Sequence, residues 1–350
     1  MSEVAIRPAQ PPVAEPACTI CIANFNGRGV IEECLASVFA QDADVAIEVL
    51  VHDDASTDGS ADWLRDGFPQ LELLVAERNA GFCVANNRMV ARARGNYVLL
   101  LNNDAVLAPD AIRTLLAATR DGHADDILTL PQFDHASGIL IDRGCRLDPF
   151  CNPVPNLDAT RAAVAMAIGA CLWVPRRLWD ELGGFPEWFG SIGEDLYLCA
   201  LARLRGHRVV ALDQSGYRHR QGHSFGGNRT TADRLDTTLR RRRLSERNKT
   251  MALLVSTPTA LVWPLFALHL ALLALEGSVL ALARRDGAIF TRIYAPAIAA
   301  PWRERARWWP ARRAAQRARR VPVRDYFSAF TPLPRKLVML LRHGLPTIRH

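Results

Sequence analysis

From Ala17 onward, short apolar runs alternate with amphipathic stretches. Residues 18–24, CTICIAN, predict a buried strand. After it, Val30, Ile31, Leu35, Val38 and Phe39 fall on one helical face. IEVLVH (47–52) predicts a second strand, and the turn DDASTDGS follows, in which Ser56 or Asp58 can cap the next helix. LELLVA (71–76) predicts a third strand, followed by a helix over 82–94 that Gly95 ends. YVLLLN (97–102) predicts a fourth, apolar until Asn102, Asn103 and Asp104, and Pro109 opens another helix. This β-α-β-α order implies a parallel sheet with helices on both faces. Ligands of such sheets bind beyond the carboxyl ends of the strands. Asn24, Asn26, Asp53, Asp54 and Asn102 to Asp104 all sit at or just after strand ends, so one shared site is expected there.

Farther along, 131–165 is irregular and rich in Pro, Asp and Gly. The apolar segment AIGACLWVP (167–175) leads to a short helix over 177–182. The loop GGFPEWFGSIGED then precedes a helix over 194–205, and HRVVALD (207–213) predicts a last strand before His219. From Met251 to Leu275 there is no Asp, Glu, Lys or Arg. That run exceeds the ~20 residues needed to cross a bilayer. Pro258 and Pro264 interrupt it, and both flanks are basic, Arg240 to Arg243 before it and Arg284 and Arg285 after it. A single crossing would leave one basic flank outside, against the positive-inside tendency. A hairpin or in-plane helices in the inner leaflet fit this pattern better. Trp302, Trp308 and Trp309, set among arginines, suit a headgroup layer.

Composition narrows the class. At 350 residues with 49% hydrophobic and 23% charged, the chain is folded and long enough for two or three packed units. The net charge is +7, and from Arg284 to the end sixteen Lys or Arg face three acids. Such a basic end favours an anionic partner, and the apolar run before it favours lipid over nucleic acid. The eight cysteines lie mostly in apolar runs, and Cys18 and Cys21 have no second pair at zinc spacing, which implies buried reduced thiols. Residues 1–16 hold four prolines and predict a loose tail.

The polar clusters can carry definite chemistry. Asp53 and Asp54 can accept hydrogen bonds from a base or ribose, or merely shape a turn. Phe25 can stack on a base. Asn102-Asn103-Asp104 offers a carboxylate to Mg²⁺ or Mn²⁺, which take oxygen ligands and bind diphosphates, or is simply a polar strand end. Glu194 and Asp195 open a helix, where one carboxylate can serve as general base or both can answer the helix dipole. His219 and His223 flank Gly222, and a neutral imidazole there can complete a metal site or meet a diphosphate.

Taken in order, these segments resemble the family 2 glycosyltransferases with the GT-A fold, in particular a bacterial rhamnosyltransferase-like branch. The resemblance rests on ANFNGRGVIEECLASVFAQ (23–41), VHDDASTDGS (51–60), NAGFCVANNRMVARARGNYVLLLNND (79–104), GACLWVPRRLWDELGGFPEWFGSIGEDLYLCALARLRGH (169–207) and HRQGHS (219–224). It implies that Asp53 reads base and ribose and that Phe25 stands where the family often has Tyr. It implies that Asp104 is the last acid of a D-x-D metal motif whose first acid is replaced by Asn102. Asp195 matches the base of an E-D motif, with Glu194 beside it, and His219 lies near the diphosphate and the metal. Asn24, Asn26, Asp54, Asn79, Asn86 and Asn103 join the donor-binding set. The implied reaction is a single in-line displacement with inversion.

Other readings fare less well. A dinucleotide-binding oxidoreductase would need a third glycine where Glu32 stands. A nucleotidyltransferase acting on a sugar phosphate would want a basic glycine-rich loop, for which Asn26-Gly27-Arg28-Gly29 is a poor substitute. A non-enzymatic module binding an anionic polymer or membrane would use only the basic end. The expected organisation is therefore a tail (1–16), a GT-A domain (17–250) with a Rossmann-like α/β sheet, and a helical membrane-associated region (251–350). The expected partners are a dTDP- or UDP-linked sugar, a lipid-linked saccharide acceptor and anionic lipids at the cytoplasmic face of the inner membrane, with no nucleic acid.

Overall fold

The computed structural model describes residues 3–220, 229–231 and 234–349. The chain begins with β1 (Val4–Arg7), β2 (Cys18–Asn24), α1 (Ile31–Phe39), β3 (Ile47–Asp53), α2 (Ser60–Gly67) and β4 (Glu72–Ala76). It continues through α3 (Phe82–Arg92), β5 (Tyr97–Asn102), β6 (Ala105–Leu107) and α4 (Ala111–Ala118). Five short strands follow: β7 (Ile127–Thr129), β8 (Gln132–Asp134), β9 (Leu140–Asp142), β10 (Cys145–Leu147) and β11 (Pro153–Pro155). Then come β12 (Cys171–Pro175), α5 (Arg176–Leu182), α6 (Glu194–Leu204), β13 (Val209–Ala211) and β14 (Tyr217–His219).

The main sheet has eight strands in the order β1-β4-β3-β2-β5-β12-β7-β13. Its centre is parallel: β2 lies between β3 and β5, and β4 lies beyond β3. Six of the seven residues of β2 are buried, as an apolar run covered on both faces requires. The sheet is mixed rather than parallel throughout. β12 runs antiparallel to β5, pairing Cys171 with Leu101 and Pro175 with Tyr97. A parallel sense is enforced only where a crossover helix joins neighbouring strands. Between β5 and β12 the chain instead passes through the irregular 131–165 segment.

A second sheet, β6-β14-β8-β9, sets His219 opposite Ala105, one residue past Asp104. The expected loose tail is also partly ordered, because β1 pairs antiparallel with β4 and Arg7 bonds the carbonyl of Phe68. All eight cysteines are buried and unpaired.

The C-terminal part departs most from expectation. The apolar run 251–275 is not one element. Its first residues end α7 (Leu239–Ser256), where Met251 to Val255 are fully buried in the main core. Burying such a side chain stabilises by about 2 kcal/mol, so this half turns to protein rather than lipid. Thr257 and Pro258 then break the helix, and α8 (Thr259–Ala283) follows. A boundary at 250 therefore cuts through a helix. Trp308, Ala315, Tyr326 and Phe330 belong to the same core as the sheet, so much of the basic end packs on the α/β unit. Arg312 is buried too, bonding the carbonyls of Leu254 and Thr257.

Candidate active site

The carboxyl ends of β2, β3 and β5 meet as expected. The Asn24 amide donates to Asp53 Oδ2 (2.8 Å) and Ser60 Oγ (3.1 Å), and accepts from Asn103 Nδ2 (2.8 Å). Asp53 also takes the backbone N–H of Ser56 at 2.9 Å and the Ser60 hydroxyl at 3.3 Å. A side chain at Gly27 would overlap Asn24 and Asn103, so the close approach of this loop requires glycine. Asp54 accepts from the backbone N–H groups of Ala80 and Gly81, both at 2.8 Å. Asn26, at φ +50°, is stitched to the next loop: its N–H donates to Ser56 Oγ and its Oδ1 accepts from Thr57 N.

Asp53 has no exposed surface. Its carboxylate organises Asn24 and Ser60. The helix cap expected from Ser56 or Asp58 is not formed: Gly59 occupies the cap position of α2, and Asp58, one residue earlier, takes the Ser60 N–H at 3.1 Å. Phe25 is half exposed beside this network. Asn79 is exposed next to the loop that Asp54 holds, and Asn86 is buried, donating to the Phe82 carbonyl within its own helix.

Asp104 and His219 come together. His219 Nε2 lies 3.1 Å from Asp104 Oδ1 and 3.4 Å from Asn102 Nδ2. Asp104 is buried, and its Oδ1 faces His219 Nε2 without hydrogen-bond geometry; His219 Nδ1 has no hydrogen-bond partner among the described residues. A buried carboxylate oxygen left so is costly unless a cation or donor meets it. The donor set, a hard oxygen beside an imidazole, fits Mg²⁺ or Mn²⁺. Among the described residues no three His, Cys, Asp or Glu converge at metal spacing, so a cation here would need oxygens from a ligand or water. Gly222, His223 and Ser224 lie outside the described residues.

Glu194 and Asp195 begin α6 at the same end of the sheet. The backbone N–H of Asn102 bonds the Ala170 carbonyl (3.1 Å), and the adjacent Gly169 N–H donates to Asp195 Oδ2 (3.0 Å). The antiparallel β12 thus places the acid pair next to Asn102. Asp195 Oδ1 takes the Leu196 N–H at 2.7 Å, while Glu194 Oε2 has no partner among the described residues. Burial, reinforced by the neighbouring Asp195, pushes the Glu194 carboxyl up to about 8. Burial also raises Asp195, against the backbone donors that pull it down. Arg241 of α7 is close enough for its charge to act on both acids.

The loop before this pair is unusual. Gly190 and Gly193 have positive φ, and so does Ile192, at +70°. A β-branched residue there costs on the order of 1–3 kcal/mol and persists only when its surroundings impose it. Fully buried Asn248 of α7 supplies the restraint, its amide donating to the carbonyls of Phe189 (3.2 Å), Ser191 (2.9 Å) and Ile192 (2.8 Å). Sequence reasoning found the two acids but missed Gly169, Arg241 and Asn248. Asn248, set between Arg247 and Lys249, carried no distinguishing signal.

Residues 19–145 match the model of glycosyl transferase family 2. The chain is 30% identical over 102 residues to the succinoglycan biosynthesis protein ExoO of Rhizobium meliloti, covering 29% of each chain. It is 32% identical over 93 residues to the teichuronic acid biosynthesis glycosyltransferase TuaG of Bacillus subtilis, covering 26% of this chain and 36% of that one. The matches thus span about a third of these relatives. The structure of S. aureus TarS 1–349 in complex with UDP-GlcNAc is similar at TM-score 0.52 and 16% identity, covering 86% of this chain and 90% of that one. Residues 19–145 are thus similar to the glycosyl transferase family 2 domain, and the fold is of the GT-A type.

Proposed function

We propose that the protein is an inverting glycosyltransferase that takes a sugar from a nucleoside diphosphate donor. The observation that carries this reading is that His219 meets Asp104 just past β5, while Gly169, next to the Ala170 that Asn102 bonds, holds Asp195. Phe25 is exposed to stack on the base, and the loops held by Asn26 and Asp54 frame the nucleotide. Asp104 and His219 would hold Mg²⁺ or Mn²⁺ together with the donor diphosphate. Bound there, the cation would supply charge stabilisation to the departing diphosphate. Asp195, raised by burial, takes the proton of the acceptor hydroxyl as its oxygen attacks the anomeric carbon. Glu194, holding its proton near neutral pH, spares that site a second negative charge.

The transferred unit is a hexose or deoxyhexose such as rhamnose, from a dTDP or UDP donor. The acceptor is a lipid-linked saccharide of surface-polysaccharide assembly. The relatives' roles in succinoglycan and teichuronic acid biosynthesis support that setting. α8 supports a lipid surface. It is long and apolar enough to cross a membrane, with mean hydropathy 2.0 over its most apolar stretch. Val262, His269, Leu273, Gly277 and Leu280 turn inward, while Leu261, Trp263, Leu268, Leu272, Leu275, Val279 and Leu282 are exposed. Glu276, mid-helix, pairs with Arg242 of α7 and Lys336, which favours α8 lying in the cytoplasmic leaflet against the protein.

The test is transfer of labelled sugar from a panel of nucleotide sugars to a lipid extract, with the anomeric configuration of the product read by NMR. A product of inverted configuration from one donor is expected. Release of pyrophosphate from a nucleoside triphosphate, with no glycoside formed, would overturn the reading.

A further inference from the structure

Outside the acids themselves, the most heavily constrained contact near the site is the junction between α7 and the loop 189–193. Asn248 is fully enclosed, and its amide nitrogen meets three backbone carbonyls of that loop. Its carbonyl oxygen accepts from Arg247, so both ends of the amide are engaged. Arg247 bonds the Trp188 carbonyl at 3.0 Å and is paired with Glu304 of helix Ala295–Arg303's following turn. The loop is thereby tied through α7 to the C-terminal helices. It includes Ile192 in the left-handed region and ends directly at Glu194 and Asp195.

We infer that Asn248 is a positioning residue for the reaction, clamping the strained 189–193 loop so that Asp195 is presented to the acceptor. The inference rests on the reading of Asp195 as the base. Three carbonyls of the loop converge on this one amide, and Ile192 has no intrinsic reason to keep φ at +70°. Removing the amide lets Ile192 return to an ordinary conformation and shifts the start of α6. Displacing a reacting group by about 1 Å costs on the order of 100-fold in rate. Donor affinity, set at β2, β3 and β5, is untouched by such a shift. Glycine adopts a positive φ without cost, so Ile192→Gly removes the need for the clamp.

The experiment compares wild type, Asn248→Ala, Ile192→Gly and the double variant in detergent. It reads donor KM, kcat and hydrogen exchange of the amides over 186–200. For Asn248→Ala the expected result is a kcat lowered roughly 10- to 100-fold, unchanged donor KM, and faster exchange confined to 189–195. The double variant should recover most of kcat, which a general loss of stability would not allow. Unchanged exchange in Asn248→Ala, or faster exchange with normal kcat, would overturn the positioning role. If Asp195→Asn retains turnover while Asn248→Ala alters exchange, the choice of base fails and the clamp stands.

Discussion

Two pairs of adjacent acids stand at the same end of the sheet, and they are held differently. Asp53 and Asp54 are saturated with donors: Asn24, Ser56 and Ser60 on one, Ala80 and Gly81 on the other. Glu194 is buried and Asp195 half-buried, yet one oxygen of Glu194 has no partner among the described residues, and burial raises both carboxyls. The first pair ends a strand, and Ala55 directly after it is also at positive φ, +64°. The second follows a loop with Ile192 held at positive φ. Asp195 also takes a backbone N–H on each oxygen, so what sets it apart from Asp53 is partial exposure and a neighbouring carboxyl with an unpartnered oxygen, the kind of setting that shifts a carboxyl toward proton transfer.

The comparison can be broken most sharply at Asp195. Asp195→Asn removes the base and keeps the shape, so transfer should fall by ~10²–10⁴-fold with donor binding retained. Near-normal turnover would show that the second pair is no more chemical than the first. Asp53→Ala should act through stability, leaving the Asn24 amide, the Ser60 hydroxyl and the Ser56 N–H without an acceptor. A loss of about 3 kcal/mol in denaturant melts is expected. A variant as stable as wild type but unable to bind donor would return Asp53 to a ligand-reading role.

The smallest effect concerns Glu194. Its folded carboxyl holds a proton up to about 8, against an ordinary 4.5. Between those values the folded state binds more protons than the unfolded state, so this group's contribution to stability falls as pH rises through that window and is fully lost above it. Glu194→Gln does not titrate, so it should gain on wild type between pH 5 and pH 8. Parallel pH dependence in the two proteins would remove the strained acid from the account.

The same contrast explains what the sequence made legible. Strands β2 to β5 and their helices follow from local patterning, because each apolar run is covered on both faces and each strand end is polar. Asn102, Asp104, Asp195 and His219 could be gathered from chain order alone. The antiparallel sense of β12 could not, since strand direction depends on the path of the connection and the 131–165 segment has no strong period. Nor could α7. Its first half, LRRRRLSERNK, reads as a basic flank, although Asn248 bonds residues 56 to 59 positions earlier. Pro258 marked an interruption of the apolar run, but nothing in the pattern showed that the piece before it enters the core. The break at Thr257 and Pro258 divides that run into a helix end inside the core and a helix with an exposed apolar face.

The central claim is that Asp104 and His219 join a nucleoside diphosphate through a divalent cation. Its most direct test is thermal stabilisation of the detergent-solubilised protein by a panel of nucleoside diphosphates and their sugars, with and without Mn²⁺ or Mg²⁺, for wild type and Asp104→Ala. A ligand that binds only the native state raises the melting temperature. The expected result is stabilisation by one nucleotide that requires the metal and is lost in Asp104→Ala. Stabilisation by no nucleotide, or an equal metal response in both proteins, would contradict the account.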